Sequence, residues 1–127
     1  MTQYLLLLYA ADGDEAESAR RWADLPQWHR VTEELREAGV LVSNNALRPV
    51  DVATTVRVRH GERELVDGPF AVTKEILAGY YLLDCPNLDV ALDAAARLPM
   101  AAYGSVEVRP VHATADLPAG IPSTGDA

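Results

Sequence analysis

The feature that most limits the fold is the order of two periodicities along the chain. A strand-like run comes first, then a helical run, further strand-like runs, a second helical run and a last strand-like run. Periods of 2 and 3.6 cannot substitute for one another, because each puts a different set of side chains on one face. Residues 4–9, "YLLLLY", are apolar throughout and lie between Gln3 and the Asp12-Gly13-Asp14 cluster. Such a run suits a central strand covered on both faces. From Glu15 the spacing turns helical, with Ala16, Ala19, Trp22 and Ala23 on one face. Pro26 interrupts it, and Asp24 with Gln27 has the spacing of a capping box for a new start. Trp28, Val31, Leu35 and Ala38 then recur at helical spacing, and Gly39 stands where a helix-ending glycine belongs. The first helical region is therefore expected in two pieces with a bend.

Residues 40–50 are ambiguous and admit a short strand, a turn at Asn44-Asn45 and an irregular edge. The next segment is clearer. Thr54, Val56 and Val58 alternate with Thr55, Arg57 and Arg59, His60-Gly61-Glu62 turns the chain, and Glu64-Leu65-Val66 returns, which predicts a hairpin. Residues 76–84 form a further strand, apolar on both faces. Asn87 caps a short helix whose inner side is expected to hold Leu88, Ala91, Leu92, Ala95 and Leu98, with Pro99 as its stop. In the last strand Val106 and Val108 oppose Glu107 and Arg109, and Pro110 marks an end or an edge. The order is that of an α+β, ferredoxin-like split β-α-β unit with an extra hairpin. Two helices cover one sheet face and leave the other partly apolar, so a homodimer packed through its sheets, a dimeric α+β barrel, is expected.

The length of 127 residues fits one folded domain, residues 1–112, followed by a Pro- and Gly-rich tail, residues 113–127, expected to be disordered. Hydrophobic residues are 49% of the chain, so it can bury a core. A net charge of −8 argues against nucleic acid and anionic membranes, because no basic stripe is present to displace counterions. The single cysteine, Cys85, excludes an internal disulfide and reads as a buried inert thiol. His29, His60 and His112 lack metal-ligand spacing, so no metal and no cofactor is expected. The opening run has no basic residues ahead of it and is too short for a membrane span of about 20 residues. A cytoplasmic location follows as an expectation.

The segment "TTVRVRHGERELVDGPFAVTKEILAGYYLLDCPNLDVALDAAARLP", followed by "GSVEVRPV", closely resembles the DGPF class of the YCII-related family. The opening "YLLLLYA" and "ELREAGVLVSNNALRP" fit as well, so the resemblance runs from Tyr4 to about Val111. It implies a ferredoxin-like unit that dimerises into a barrel-like assembly, with a small-molecule pocket beside the sheet and an enzymatic role that needs no cofactor. It also implies a second reading, an accessory protein associated with an extracytoplasmic-function sigma factor; a third is a structural interaction module. One position departs from the family's DGPFAETKE loop, where Val72 replaces the first glutamate.

Several residues could carry chemistry. Asp67 either closes a turn before Gly68-Pro69 or holds a carboxylate rigidly at a strand end as an acid, a base or a ligand anchor. In the second case Gly68 and Pro69 fix the corner and Phe70 plugs it into the core. Lys74 and Glu75 are either a solvated pair or part of the same pocket, with Lys74 as an anion contact. His29 is similar in placement to the histidine of a His-Asp pair in the wider family, against the alternative of a surface or packing histidine. Arg57 and Arg109 read either as partners in a structural ion pair across the dimer interface, where Glu107 shares the face of Arg109, or as anion-recognition residues. The tyrosines, Trp22 and Trp28 read as core.

Overall fold

A computed structural model describes residues 1–11, 19, 22–70 and 74–118. Strands β1 (Thr2–Ala11), β2 (Leu41–Ala46), β5 (Glu75–Cys85) and β6 (Ser105–Pro110) form one antiparallel sheet in the order β2-β5-β1-β6. Strands β3 (Thr54–Arg59) and β4 (Glu62–Asp67) form a separate two-stranded sheet. Helices α1 (Leu25–Glu37) and α2 (Leu88–Arg97) connect β1 to β2 and β5 to β6, and a single turn, α3 (Met100–Tyr103), precedes β6. Each long helix thus joins two parallel strands that have a third strand between them. This is the ferredoxin-like split β-α-β arrangement, with the hairpin inserted between its halves.

The pleat of β1 sorts its residues. Tyr4, Leu6, Leu8 and Ala10 are buried, whereas Leu5, Leu7 and Tyr9 are only half-buried. The continuous apolar run is therefore covered on one face within the chain, and not on both as its sequence suggests. On β5, Tyr81, Leu83 and Cys85 face the same core. Val31 and Leu35 of α1 and Ala91, Ala94, Ala95 and Leu98 of the α2 region close over it. Each leucine taken fully out of water here contributes about 1.5–3 kcal/mol.

The helix ends follow from local chemistry. Gly39 has φ of +76°, its N–H donates to the Arg36 carbonyl at 3.0 Å, and the Val40 N–H donates to Leu35 at 3.2 Å. This pair of bonds ends α1 in a left-handed turn that glycine adopts without strain. At the other end the expected capping box is not formed. Asp24 makes no side-chain cap, and its backbone carbonyl instead accepts from the N–H groups of Gln27 and Trp28. The first of the two helical pieces expected from Glu15 falls largely outside the described residues. Asn87 does cap α2, accepting from the Val90 N–H at 3.0 Å.

Two expectations about faces are corrected. Leu88 and Leu92 are exposed, and α2 packs through alanines instead. Short side chains let the helix lie close to the sheet, and the stripe they form is rotated away from the leucines. Asn44 and Asn45 do not turn the chain; both lie within β2, opposite Tyr81 and Tyr80. The segment assigned to the tail opens with a 3-10 turn, Thr114–Asp116, and its residues 119–127 lie outside the described residues. Among the described residues no helix is long and apolar enough to cross a membrane.

Gly79 lies at the seam of three strands, paired with Leu8 of β1 and Ala46 of β2. A methyl group there would come 2.7 Å from the Asn45 carbonyl oxygen and 3.3 Å from the Ala46 Cα. Both are backbone atoms of the neighbouring strand, so relief requires β2 to move. Gly79→Ala is expected to destabilise the fold by about 1–3 kcal/mol, the usual cost of overpacking. Urea denaturation measures this, and an unchanged midpoint would show that β2 yields freely.

Candidate functional site

The Asp67–Phe70 corner is held by its glycine. Gly68 has φ of +102°, a conformation that side chains other than hydrogen strain. Its N–H donates to the Ala53 carbonyl at 2.7 Å, and its own carbonyl accepts from Thr55 Oγ1 at 2.9 Å. The corner is thereby tied to the start of β3. Asp67 ends β4 opposite Thr54 and is exposed. Phe70 does not plug the corner into the core: it is 77% exposed. The Arg57 guanidinium carbon instead stands 5.8 Å from the centroid of its ring, a cation–π distance. Lys74 is exposed, and Val72 and Thr73 lie outside the described residues. Glu75 opens β5 and accepts from Ser105 Oγ at 2.8 Å. Arg109 pairs with Glu107 at 3.3 Å within β6 of the same chain, and the pair is exposed. Such a pair contributes about 0–1 kcal/mol.

The residues that converge most closely lie elsewhere. A cavity of about 610 Å³ opens between α1, the end of β2 with the chain that follows it, and β5. That volume is in the range of small-molecule sites. His29 of α1 lines it, whereas Asp67, Phe70, Lys74, Glu75, Arg57 and Arg109 do not. The structure thus separates the expected residues into three places: His29 at the cavity, the Asp67 corner with Arg57 and Phe70 on the hairpin, and Glu75 and Arg109 on the main sheet.

The cavity has an ordered polar end. Thr32 Oγ1 donates to the Trp28 carbonyl at 2.7 Å and lies 2.6 Å from Tyr81 Oη. With the threonine proton engaged, Tyr81 is the donor in the second bond. Asn44 stands opposite Tyr81 in the β2–β5 pairing and lines the same cavity. The indole of Trp28 stacks on the Tyr81 ring at 6.3 Å and 18°. Apolar side chains, Leu8, Leu25, Ile76 and Met100 among them, form much of the remaining wall, with Arg48 and Asp51 on the segment after β2. Trp22 also borders the cavity and is 69% exposed.

Sequence reasoning placed His29 near a site but missed Thr32, Asn44, Arg48 and Tyr81; Trp28, read as core, does pack against the core as well as lining the cavity, whereas Trp22, read the same way, is exposed. The available signals were weak ones. Trp28 and Thr32 stand four residues apart on one helix face, and two asparagines interrupt a strand. Among the described residues no three His, Cys, Asp or Glu side chains gather as metal ligands.

Burial pushes the Tyr81 phenol above its ordinary value of 10.0, against the opposing hydrogen bonds of Thr32 and Asn44. The folded protein therefore keeps this proton to higher pH than the unfolded chain does, and stability falls as pH rises past 10.0. Tyr81→Phe is expected to remove part of that alkaline loss while lowering stability at neutral pH. Melting temperatures from pH 8 to 11 compare the two proteins. Parallel curves would rule out Tyr81 as the source.

The sequence matches the YCII-related domain over residues 2–114. It is also 51% identical over 77 residues to an uncharacterised protein of Rhizobium meliloti (strain 1021), an alignment covering 59% of this chain and 62% of that relative. The chain thus spans less than two thirds of that relative's length. The domain match runs through every strand and helix described above, and the chain belongs to the YCII-related family.

Proposed function

We propose that the protein binds a small molecule in the cavity beside α1 and acts on it without a cofactor. The observation that carries this reading is the cavity itself: apolar and aromatic walls around a few convergent polar groups, on rigid elements. The chemistry its side chains supply is proton transfer, by the imidazole of His29 or the carboxylate of Asp51. Asp67, at the hairpin corner, stands outside this chemistry in a single chain. Ala46 borders the cavity at the exposed end of β2. Ala46→Trp is expected to fill the cavity with little loss of stability. A ligand found by thermal-shift screening raises the stability of the native protein by about 2.7 kcal/mol at a hundredfold excess over Kd. The variant should lose that shift. Equal shifts in both proteins, or none in the native protein, would overturn the reading.

The working unit is a homodimer. The outer face of the main sheet carries Leu5, Leu7 and Tyr9 beside Leu82, Tyr80 and Leu77, in register and uncovered by either helix. On the hairpin, Val56 and Leu65 form a cross-strand pair, with Val58 on the same face, and all three are 57–60% exposed. A two-stranded hairpin is marginal on its own in water, so a covering surface is needed. A second copy supplies an apolar face of matching character. The accessory reading draws on the same hairpin with a sigma factor or another chain in that place. Sedimentation should give twice the chain mass, and Leu7→Lys should give a folded monomer. A native monomer at every concentration would remove the dimer and leave the hairpin to a different partner.

A further inference from the structure

The polar groups of the cavity define what its ligand must carry, and this step rests on the cavity being the binding site. At the inner end the hydrogen bonds run in one direction. Tyr81 donates to Thr32, and Thr32 to the Trp28 carbonyl at 2.7 Å. Both hydroxyl protons are thus directed at protein acceptors. What the Tyr81 hydroxyl still offers is a lone pair, and the Asn44 amide oxygen in the same lining is a further acceptor. A ligand that meets the Tyr81 hydroxyl must bring a donor.

Another part of the lining offers the opposite. Arg48 lines the cavity, and among the described residues it takes part in no ion pair. A guanidinium fork with unused donors matches a carboxylate in two parallel bonds. Asp51, in the short 3-10 segment Val50–Val52, also lines the cavity. The chain's charge of −8 opposes an anion at long range. Salt screens that field beyond about 8 Å, so the contact at Arg48 decides.

The walls select the body of the ligand. Trp28 extends a ring stack that already includes Tyr81, and Trp22 exposes its indole at the rim. An uncovered tryptophan beside a cavity gains from a flat ring more than from an aliphatic chain, since aromatic pairs add about 0.5–1.5 kcal/mol beyond area burial. The volume of about 610 Å³ leaves room for one or two fused rings. We propose that the ligand is a flat aromatic acid bearing a ring hydroxyl, its carboxylate on Arg48, its hydroxyl donated to the Tyr81–Asn44 end, and its ring against the tryptophans.

Quenching of tryptophan fluorescence tests this with four probes: hydroxynaphthoate, naphthoate, naphthol and naphthylmethylamine. Hydroxynaphthoate should bind most tightly. Arg48→Gln should weaken both acids by about tenfold or more and leave naphthol unchanged. Tyr81→Phe should weaken hydroxynaphthoate several-fold and spare naphthoate, which lacks the donor. Asp51→Asn should strengthen the acids or leave them as they are. Tighter binding of the amine, or acid binding indifferent to Arg48→Gln, overturns the ligand class. If those probes still bind the native protein and fail on Ala46→Trp, the cavity stands as the site and only the ligand class falls. Failure of all four probes overturns the class, and the broader thermal-shift screen then judges the cavity separately.

Discussion

The antiparallel pairing of β1 with β5 is the interaction on which the rest of the fold depends. It runs from Thr2 opposite Cys85 to Ala11 opposite Glu75, so it fixes two faces over nearly the whole width of the sheet. The edge strands β2 and β6 pair onto the outer sides of this pair, and the two long helices dock over its inner row of Tyr4, Leu6, Tyr81 and Leu83. A slip of one residue would turn that row outward and expose it. The same register puts Tyr81 beneath α1, within reach of Thr32 although 49 residues separate them. The polar end of the cavity is therefore a consequence of how two apolar strands align.

The cavity exists because side-chain size falls along this pair. At the end of the sheet near Cys85, α2 closes the core through Ala91, Ala94 and Ala95 against leucines. Towards the other end the inner row thins to Gly79 opposite Leu8, with Ala46 across from it on β2. The register shift between Leu8 and Tyr9 falls at the same level, where a bulge re-aims the side chains beyond it. A close-packed interior would fill such a gap, so its persistence on a rigid sheet is what separates a site from ordinary core.

Much of this was legible in the sequence, and the exceptions have physical causes. The apolar run of β1, the alternation of β3, the Gly39 stop and the Asn87 cap are local signals, and each is where its chemistry puts it. The inner face of α2 was misread because leucine carries more weight in an apolar pattern than alanine, while close approach to a sheet favours alanine. The site was the harder case. Tyr81 sits in the middle of an apolar strand and reads as core, and only its alignment with α1 and β2 makes it the hinge of a hydrogen-bond chain. The Asp67 corner, by contrast, has a conspicuous sequence and a glycine that is needed, but the structure places it on the hairpin, away from the cavity walls.

That separation bears on what the corner does. Its order comes from Gly68 and Thr55, through two backbone-directed bonds. Among the described residues the Asp67 side chain makes neither hydrogen bond nor ion pair, so the carboxylate is not what builds the turn. Phe70 is likewise held only from the side, under Arg57. An aromatic ring, a guanidinium and a carboxylate are thus displayed together at the base of a hairpin whose apolar residues face water. A hairpin of this kind has too little buried surface to be stable alone, and the aromatic ring and the guanidinium at its base, though not the carboxylate, are types enriched where protein surfaces meet. In the proposed dimer the corner serves as a rigid mount for the interface. Any chemical role for Asp67 then requires the partner surface to bring a second site to it, because the fold of a single chain does not carry Asp67 to the cavity.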